Sequence, residues 1–108
     1  MAMTVLGTDV LAKAGKKNAP LRRALAQWLD ATANATWGNI HDVKQTFPTV
    51  SSFPVTVKGG GQVTATVFNI KGNEYRLITV IIYAAQTVGI RELLTHAEYD
   101  RNVWKERL

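Results

Sequence analysis

Four side chains suited to phosphate chemistry are found in the last third of the sequence. Arg76 and Arg91 lie in segments rich in β-branched residues, and His96 and Tyr99 follow Arg91 closely. Guanidinium binds phosphate through two parallel hydrogen bonds, imidazole exchanges a proton near neutral pH, and a phenol donates a proton or stacks against a base. Cleavage of RNA by its own 2′-hydroxyl requires a base, an acid and fixed positive charge, and it requires no metal. These residues therefore predict such a reaction, with base and acid unassigned between His96 and Tyr99.

The segment from Thr95 to Glu98 has the pattern of a capping box, in which each of these two side chains accepts a hydrogen bond from the other's amide. A short helix is predicted to begin at His96, with Tyr99 and Asp100 on the same face. The Asp100 carboxylate is placed to orient the His96 ring, although a cap or a surface salt bridge would explain it equally well. The free amides and the positive dipole end of this helix also predict a bound anion.

Other residues with chemical potential lack the pattern that their chemistry needs. His41 and His96 are the two histidines, and the acidic residues show no metal-ligand spacing, so we expect no metal and no other cofactor. We assign His41 a surface or capping role. The triplet from Gly59 to Gly61 lacks the Lys-Ser/Thr that follows a phosphate-binding loop, and it predicts a flexible hairpin tip.

Strands must position the two arginines. The second half of the chain is rich in Val, Ile, Thr and Tyr and is interrupted by GGG, KGN and AAQ, which predicts four strands joined by hairpins. The strand that carries Arg76 is apolar on both faces, so it should lie centrally, with helices on one face and a C-terminal element or a partner protein on the other. The predicted strands are Phe53–Lys58, Gln62–Ile70, Glu74–Tyr83 and Thr87–Leu94.

The first half predicts a short strand followed by helices, and hence an α+β fold. Thr8 or Asp9 is a candidate cap for the first helix, and a second helix follows Pro20. Its apolar residues recur every three or four positions and include Trp28, which is therefore assigned to the core. The predicted bounds are Met3–Leu6 for the strand, about Asp9–Lys17 for the first helix and Asn39–Phe47 for a third.

The charge balance favours a polyanionic partner. The chain has 108 residues, with 13 Lys and Arg against 8 Asp and Glu, and a formal net charge of +5. A basic cluster lies between the first two helices, where contact with phosphates and a solvated helical face are equally well supported. This cluster consists of Lys13, Lys16, Lys17, Arg22 and Arg23.

Length and composition favour one domain that spans residues 1–108. An apolar share of 46% is enough to fill a single modest core. The chain has no cysteine and therefore no disulfide frame, so a reducing cytoplasm is the expected location. The longest apolar stretches are far shorter than the ~20 residues of a membrane helix, and we expect no membrane association.

Two strings, FNI-x-GN-x-YR at residues 68–76 and THAEYD at residues 95–100, occur in order with a strand between them. Together they closely resemble the C-terminal half of HigB-type toxins, which are members of the RelE/ParE superfamily of bacterial toxin–antitoxin modules. A weaker similarity, which includes the Phe47-Pro48 pair, extends the resemblance over residues 8–101. It implies a RelE-like α+β fold: an N-terminal strand and helices pack on one face of a mainly antiparallel sheet of four to five strands, and a short helix ends the chain. The other face is implied to form an RNA-binding concavity.

The same resemblance implies a function. The implied function is that of a type II toxin, a ribosome-dependent mRNA endoribonuclease that inhibits translation. A HigA-like antitoxin is implied to neutralise it. Because such an antitoxin has a helix-turn-helix domain, the toxin would contact DNA only indirectly, through the complex. By matching positions, Asn69, Lys71 and Asn73 are added as RNA-binding residues. A ParE-like toxin directed at DNA gyrase and a non-catalytic interaction module remain as alternatives.

Two positions depart from the family pattern. Gly89 stands where relatives often have an aromatic residue, so one base-stacking contact is missing. Glu92 follows Arg91 where an apolar residue is common. We expect Glu92 to pair with Arg91 or to weaken the local positive field.

Overall fold

The structure, a computed structural model, describes residues 2–108. Within these residues a short strand and three helices precede four strands, and two short helical segments end the chain. The elements are β1 (Thr4–Leu6), α1 (Thr8–Gly15), α2 (Ala19–Ala33), α3 (Ile40–Thr46), β2 (Ser51–Thr56), β3 (Gln62–Ile70), β4 (Tyr75–Ile82), β5 (Thr87–Thr95), α4 (His96–Asp100) and a C-terminal 3-10 helix (Val103–Arg107).

The strands form one sheet in the order β1-β5-β4-β3-β2. Successive strands from β2 to β5 pair antiparallel, as hairpins do, whereas β1 pairs parallel to β5. The predicted α+β class and the central position of the strand that carries Arg76 are therefore confirmed. The bounds of β3 agree with the prediction, because glycine-containing turns limit it at both ends.

The start of α1 differs from the prediction. Its cap is Gly7, which makes no side-chain hydrogen bond, rather than Thr8 or Asp9. Gly7 has a left-handed backbone with φ of 85°, and a Cβ there would lie 2.8 Å from the carbonyl oxygen of Ile90. The chain thus turns from β1 into α1 in close contact with β5, which only glycine permits at low cost. The helix ends at Gly15, two residues before the predicted Lys17.

Each face of the sheet has its own apolar cluster. On the helix face, the aromatic rings of Trp28 and Phe68 meet edge-on with centroids 5.3 Å apart, and Trp28 is buried as predicted. The opposite face, called the site face below, carries the side chain of Arg76. Its buried residues are Val55, Ala65, Val67, Ile78, Leu94 and Trp104. Because Trp104 belongs to the C-terminal 3-10 helix, a C-terminal element covers part of this face, as one of the two predicted alternatives states.

A β-bulge interrupts the pairing of β4 with β5. The adjacent residues Ile78 and Thr79 lie opposite Glu92 and Ile90, so Arg91 has no partner on β4. An extra residue bends a strand and shifts the alternation of its side chains. Glu92 consequently lies opposite a residue of the site face, whereas Ile90 packs with the helix-face cluster.

Candidate active site

The turn between β3 and β4 and the start of α4 lie side by side. Tyr75 pairs with Thr95 at the end of the sheet, and the amide of His96 donates to the carbonyl oxygen of Glu74 at 3.0 Å. The two strings that carry the family resemblance, though separated in sequence, therefore meet at one corner of the fold. His96 and Tyr99 on α4 are joined there to Asn73 and its turn.

The predicted capping box is present. The amide of Glu98 donates to the Thr95 hydroxyl at 3.2 Å, and the amide of Thr95 donates to the Glu98 carboxylate at 2.9 Å. These hydrogen bonds lower the pKa of Glu98. Since the His96 amide is also bonded, to Glu74, few amides are left for an anion, and a helix of five residues has a small dipole. Positive charge for a phosphate must therefore come from side chains, which corrects the predicted anion site at this helix start.

His96 and Asp100 form the predicted pair one helical turn apart. His96 Nδ1 lies 3.0 Å from Asp100 Oδ2, and about half of each side chain is exposed to solvent. A hydrogen bond from Nδ1 to a carboxylate leaves Nε2 of a neutral ring as the proton acceptor. The pair is too exposed to stabilise the fold by more than about 1 kcal/mol, so its main effect is on the orientation of the ring.

Arg76 is held by the turn that precedes it. Its guanidinium donates to the carbonyl oxygens of Asn73 and Tyr75 at 3.3 and 3.2 Å and also to Asn73 Oδ1. The carbon of the guanidinium lies 5.7 Å from the centroid of the Tyr99 ring, within cation–π distance. Asn73, predicted to bind RNA, thus orients the arginine, and Arg76 and Tyr99 are in contact.

Tyr99 is fixed by a residue that the sequence analysis missed. Its ring stacks on that of Trp104, with centroids 5.4 Å apart and planes inclined by 15°. Trp104 Nε1 donates to the carbonyl oxygen of Tyr99 at 3.1 Å. Burial raises the pKa of the Tyr99 hydroxyl, Arg76 opposes this rise and Asp100 adds to it. A tryptophan in a mostly polar C-terminal segment is the sequence signal that could have indicated the burial of Trp104.

Two further predicted RNA-binding residues flank this group. Asn69 lies directly opposite Arg76 in the β3–β4 register, and opposed residues share a face of the sheet. Lys71 lies in the turn, where its ammonium is 2.6 Å from the carboxylate of Glu74. Both partners are exposed, so this ion pair can exchange for a phosphate at small cost.

Arg91 is not part of this group of contacts. Arg91 lies three positions before Leu94 in β5, and Leu94 lies opposite Arg76 in β4. The backbones of the two arginines are therefore about 10 Å apart along the strand. The side chain of Arg91 is exposed and makes no hydrogen bond or ion pair within residues 2–108. It lines a depression, the α1–β5 groove, formed by Asp9, Val10, Lys13, Ala14, Arg91, Glu92 and Leu93.

Glu92 does not pair with Arg91, so the first of the two alternatives expected for Glu92 is wrong. The Glu92 carboxylate accepts hydrogen bonds from Arg107 Nε at 3.0 Å, and Arg107 Nη2 lies 2.9 Å from the same group. The bulge at Arg91 turns Glu92 toward the site face, where the C-terminal 3-10 helix supplies Arg107. The charge of Arg91 is therefore not neutralised by a direct contact with Glu92.

The basic cluster of the helices divides into three parts. Arg22 Nη1 donates to the carbonyl oxygen of Gly15 at 3.0 Å, so Arg22 joins α1 to α2 as a structural contact. Lys13 lines the α1–β5 groove with Arg91. Lys16, Lys17 and Arg23 are exposed.

The described part of the chain contains neither a candidate metal site nor a candidate membrane span. Residues 2–108 contain no group of three or more His, Cys, Asp or Glu that could hold a metal ion. None of their helices is long and apolar enough to cross a membrane. His41 is exposed near the start of α3, as its predicted surface role requires.

Helices on one face of a five-stranded mixed sheet are the architecture of a RelE-like fold. Residues 21–102 match the HigB toxin family, described as a RelE-like toxic component of a toxin-antitoxin system. This match covers most of the chain and includes all four catalytic candidates. The chain therefore belongs to the HigB toxin family, and the resemblance inferred from the two strings is confirmed.

Curated relatives carry the same family name. Over 58 residues the chain is 36% identical to the mRNA interferase toxin HigB of Escherichia coli K12. The same identity relates it to the mRNA interferases HigB of Escherichia coli O157:H7 and Shigella flexneri. The aligned segment is 54% of this chain and 50% of each relative, so the chain spans about half the length of the curated relatives it matches.

Proposed function

We propose that this protein is a ribosome-dependent mRNA endoribonuclease, the toxin of a type II toxin–antitoxin module. The observation that carries the proposal is the contact of Arg76 with Tyr99 beside the His96–Asp100 pair, within the segment that matches the HigB family. The curated relatives named as mRNA interferases support the choice of substrate.

The proposed reaction uses the 2′-hydroxyl of the RNA as the nucleophile. His96 Nε2 accepts the 2′-hydroxyl proton, O2′ forms a bond to phosphorus, and the bond from phosphorus to O5′ breaks. Tyr99 donates its proton to the departing O5′, which leaves a 2′,3′-cyclic phosphate and a 5′-hydroxyl end. Tyr99 can serve as the acid because burial raises the pKa of its hydroxyl and keeps it protonated, while Arg76 beside it favours the anion that is left after the proton transfer. The reaction needs no metal, because Arg76 supplies the positive charge.

Different side chains supply the positive charge at different phosphates of the RNA. Arg76, the arginine beside Tyr99, stabilises the scissile phosphate as its charge develops. Arg91 and Lys13 in the α1–β5 groove bind a neighbouring phosphate, because the backbone of Arg91 is displaced from that of Arg76 along the strand. The remaining proposed RNA contacts are Asn69, Lys71, Asn73, Lys16, Lys17 and Arg23, with Arg22 limited to its structural contact.

The proposed partners follow from membership of a toxin–antitoxin family. A HigA-like antitoxin with a helix-turn-helix domain neutralises the protein, and DNA is contacted only through that complex. The absence of cysteine from the sequence is consistent with action in the reducing cytoplasm, where mRNA and ribosomes are found. The 108 residues are proposed to act as one domain.

Expression in bacteria followed by mapping of mRNA 5′ ends tests this function. The wild type should arrest growth and cut a reporter mRNA, but not the same mRNA lacking its start codon. His96→Ala should abolish both effects, whereas His41→Ala, a matched change at an exposed histidine, should abolish neither. Arrest with intact mRNA and accumulated cleaved or relaxed DNA would instead support a gyrase-directed toxin. Harmless expression of the wild type would favour a non-catalytic interaction module.

A further inference from the structure

The C-terminal 3-10 helix packs directly on the site face of the sheet. Trp104 has no exposed surface and contacts the apolar cluster that includes Ile78 and Leu94. It also lies beyond residue 102, where the match to the HigB family ends. Trp104 is thus a buried residue next to the candidate site that the family match does not include.

Trp104 contacts Tyr99 in two ways. The stacked rings restrict the plane of the Tyr99 side chain, and the hydrogen bond from Trp104 Nε1 restrains the Tyr99 backbone. These contacts matter because α4 has only five residues, and a helix so short has little stability of its own. The position of the Tyr99 hydroxyl therefore depends on packing against Trp104.

Three charged side chains add to the apolar packing that holds Trp104 in place. Arg107 and Glu92 form a two-pronged ion pair between the C-terminal 3-10 helix and β5, in which only 27% of the Glu92 side chain is exposed. The ammonium of Lys105 lies 5.7 Å from the centroid of the Trp104 ring. The departure of Glu92 from the family pattern is thus matched by an arginine outside the family match.

We propose that Trp104 is a positioning residue, which holds the Tyr99 hydroxyl for proton transfer, and that the Glu92–Arg107 pair keeps Trp104 in that position. This inference rests on the proposed nuclease function. It also limits how Tyr99 acts. Because the ring is packed against Trp104 and lies beside the Arg76 guanidinium, Tyr99 works through its hydroxyl and not as a platform for a base.

Single-turnover cleavage of ribosome-bound mRNA tests the proposal. Trp104→Leu removes both contacts, and we expect the maximal rate to fall about 100-fold, as misplacement of a reacting group by about 1 Å does. Trp104→Phe keeps an aromatic ring for stacking and should restore most of that loss. The toxin concentration that gives half-maximal rate should change less than about threefold, because binding does not depend on the hydroxyl.

The ion pair is tested without changing the buried core. Arg107→Met should lower the maximal rate about fivefold, the shift in population that loss of one exposed ion pair produces. Lys44→Met is the matched control, because it removes one positive charge from an exposed position of α3. This variant should cleave at the wild-type rate. If Trp104→Leu does not fold, Arg107→Met decides the question. A folded Arg107→Met variant with the wild-type rate would overturn the role of the pair.

A second measurement is independent of RNA cleavage. In protein labelled with 13C-tyrosine, the Tyr99 resonance, assigned by its loss in Tyr99→Phe, reports the ionisation of the hydroxyl with pH. Trp104→Leu and Arg107→Met should each move its midpoint down toward the value of about 10 found for free tyrosine. If the wild type fails to cut RNA but these midpoints move, the nuclease function is wrong and the contact is right. Unchanged midpoints in folded variants would overturn the positioning role.

Discussion

The cap of α4 offers a perturbation whose size can be worked out from the structure. Thr95→Ala removes the hydroxyl that accepts from the Glu98 amide at 3.2 Å, while the Thr95 backbone amide stays able to donate to the Glu98 carboxylate. Loss of a threonine cap costs about 0.5–2 kcal/mol of unfolding free energy. Because Thr95 is exposed, water partly replaces the lost acceptor, and we expect a value of about 0.5–1 kcal/mol.

The effect on α4 itself should be larger than the change in the free energy of unfolding of the whole protein suggests. Since α4 has five residues, the cap is a large part of its stability, and about 1 kcal/mol changes the ratio of folded to unfolded α4 about fivefold. His96 and Tyr99 lie on this helix, so cleavage should fall by up to that factor. The hydrogen bond from the His96 amide to Glu74 and the stacking on Trp104 remain and limit the loss.

Urea unfolding followed by circular dichroism, and amide exchange at Glu98, measure these two effects. Thr49→Ala, at an exposed turn position, is the matched control and should alter neither. The role of the cap would be contradicted if the unfolding free energy of Thr95→Ala lay within about 0.3 kcal/mol of the wild type and its Glu98 amide exchanged at the wild-type rate.

Three further predictions concern charges. The folded-state pKa of Glu98 is lowered, so its charge stabilises the fold above about pH 4.3. This contribution is lost as pH falls through the folded pKa. In a pH series of urea unfolding, the difference in unfolding free energy between wild type and Glu98→Gln should therefore disappear at acid pH. Asp100→Ala should slow single-turnover cleavage about tenfold, because the His96 ring is no longer held by the carboxylate. Glu106→Ala is the control, and a rate for Asp100→Ala equal to that of Glu106→Ala would contradict the role of Asp100. Lys71→Gln should weaken binding to a single-stranded RNA, measured by fluorescence anisotropy, and should lower the dependence of log affinity on log salt concentration by about one. Glu74→Gln should strengthen binding. Effects of the same sign in the two variants would contradict the exchange of Glu74 for phosphate.

The parts of the fold that depend on local sequence were predictable. Glycine-containing turns limit β3, and the Thr95–Glu98 capping box sets the start of α4, because both are contacts between residues near in sequence. The candidate cap of α1 was wrong because Gly7 is selected by its close approach to Ile90, a residue distant in sequence.

The arrangement of the candidate site was predicted only in part. The pairing of His96 with Asp100 follows from helical spacing, and the structure contains it. The bulge at Arg91 depends on the register of two strands, so simple alternation could not show that Arg91 lies apart from Arg76. The contact of Trp104 with Tyr99 depends on how the chain turns after α4, for which no sequence pattern was available.

In the proposed reaction the 2′-hydroxyl of the RNA attacks the adjacent phosphate at the site formed by Arg76, His96 and Tyr99. The most direct test uses ribosomes programmed with an mRNA that carries a single 2′-deoxynucleotide immediately 5′ of a mapped cut. Cleavage at that position should disappear, and the unmodified mRNA should yield 5′-hydroxyl and 2′,3′-cyclic phosphate ends. Cleavage of the 2′-deoxy position, or ends that carry a 5′-phosphate, would contradict the proposed reaction.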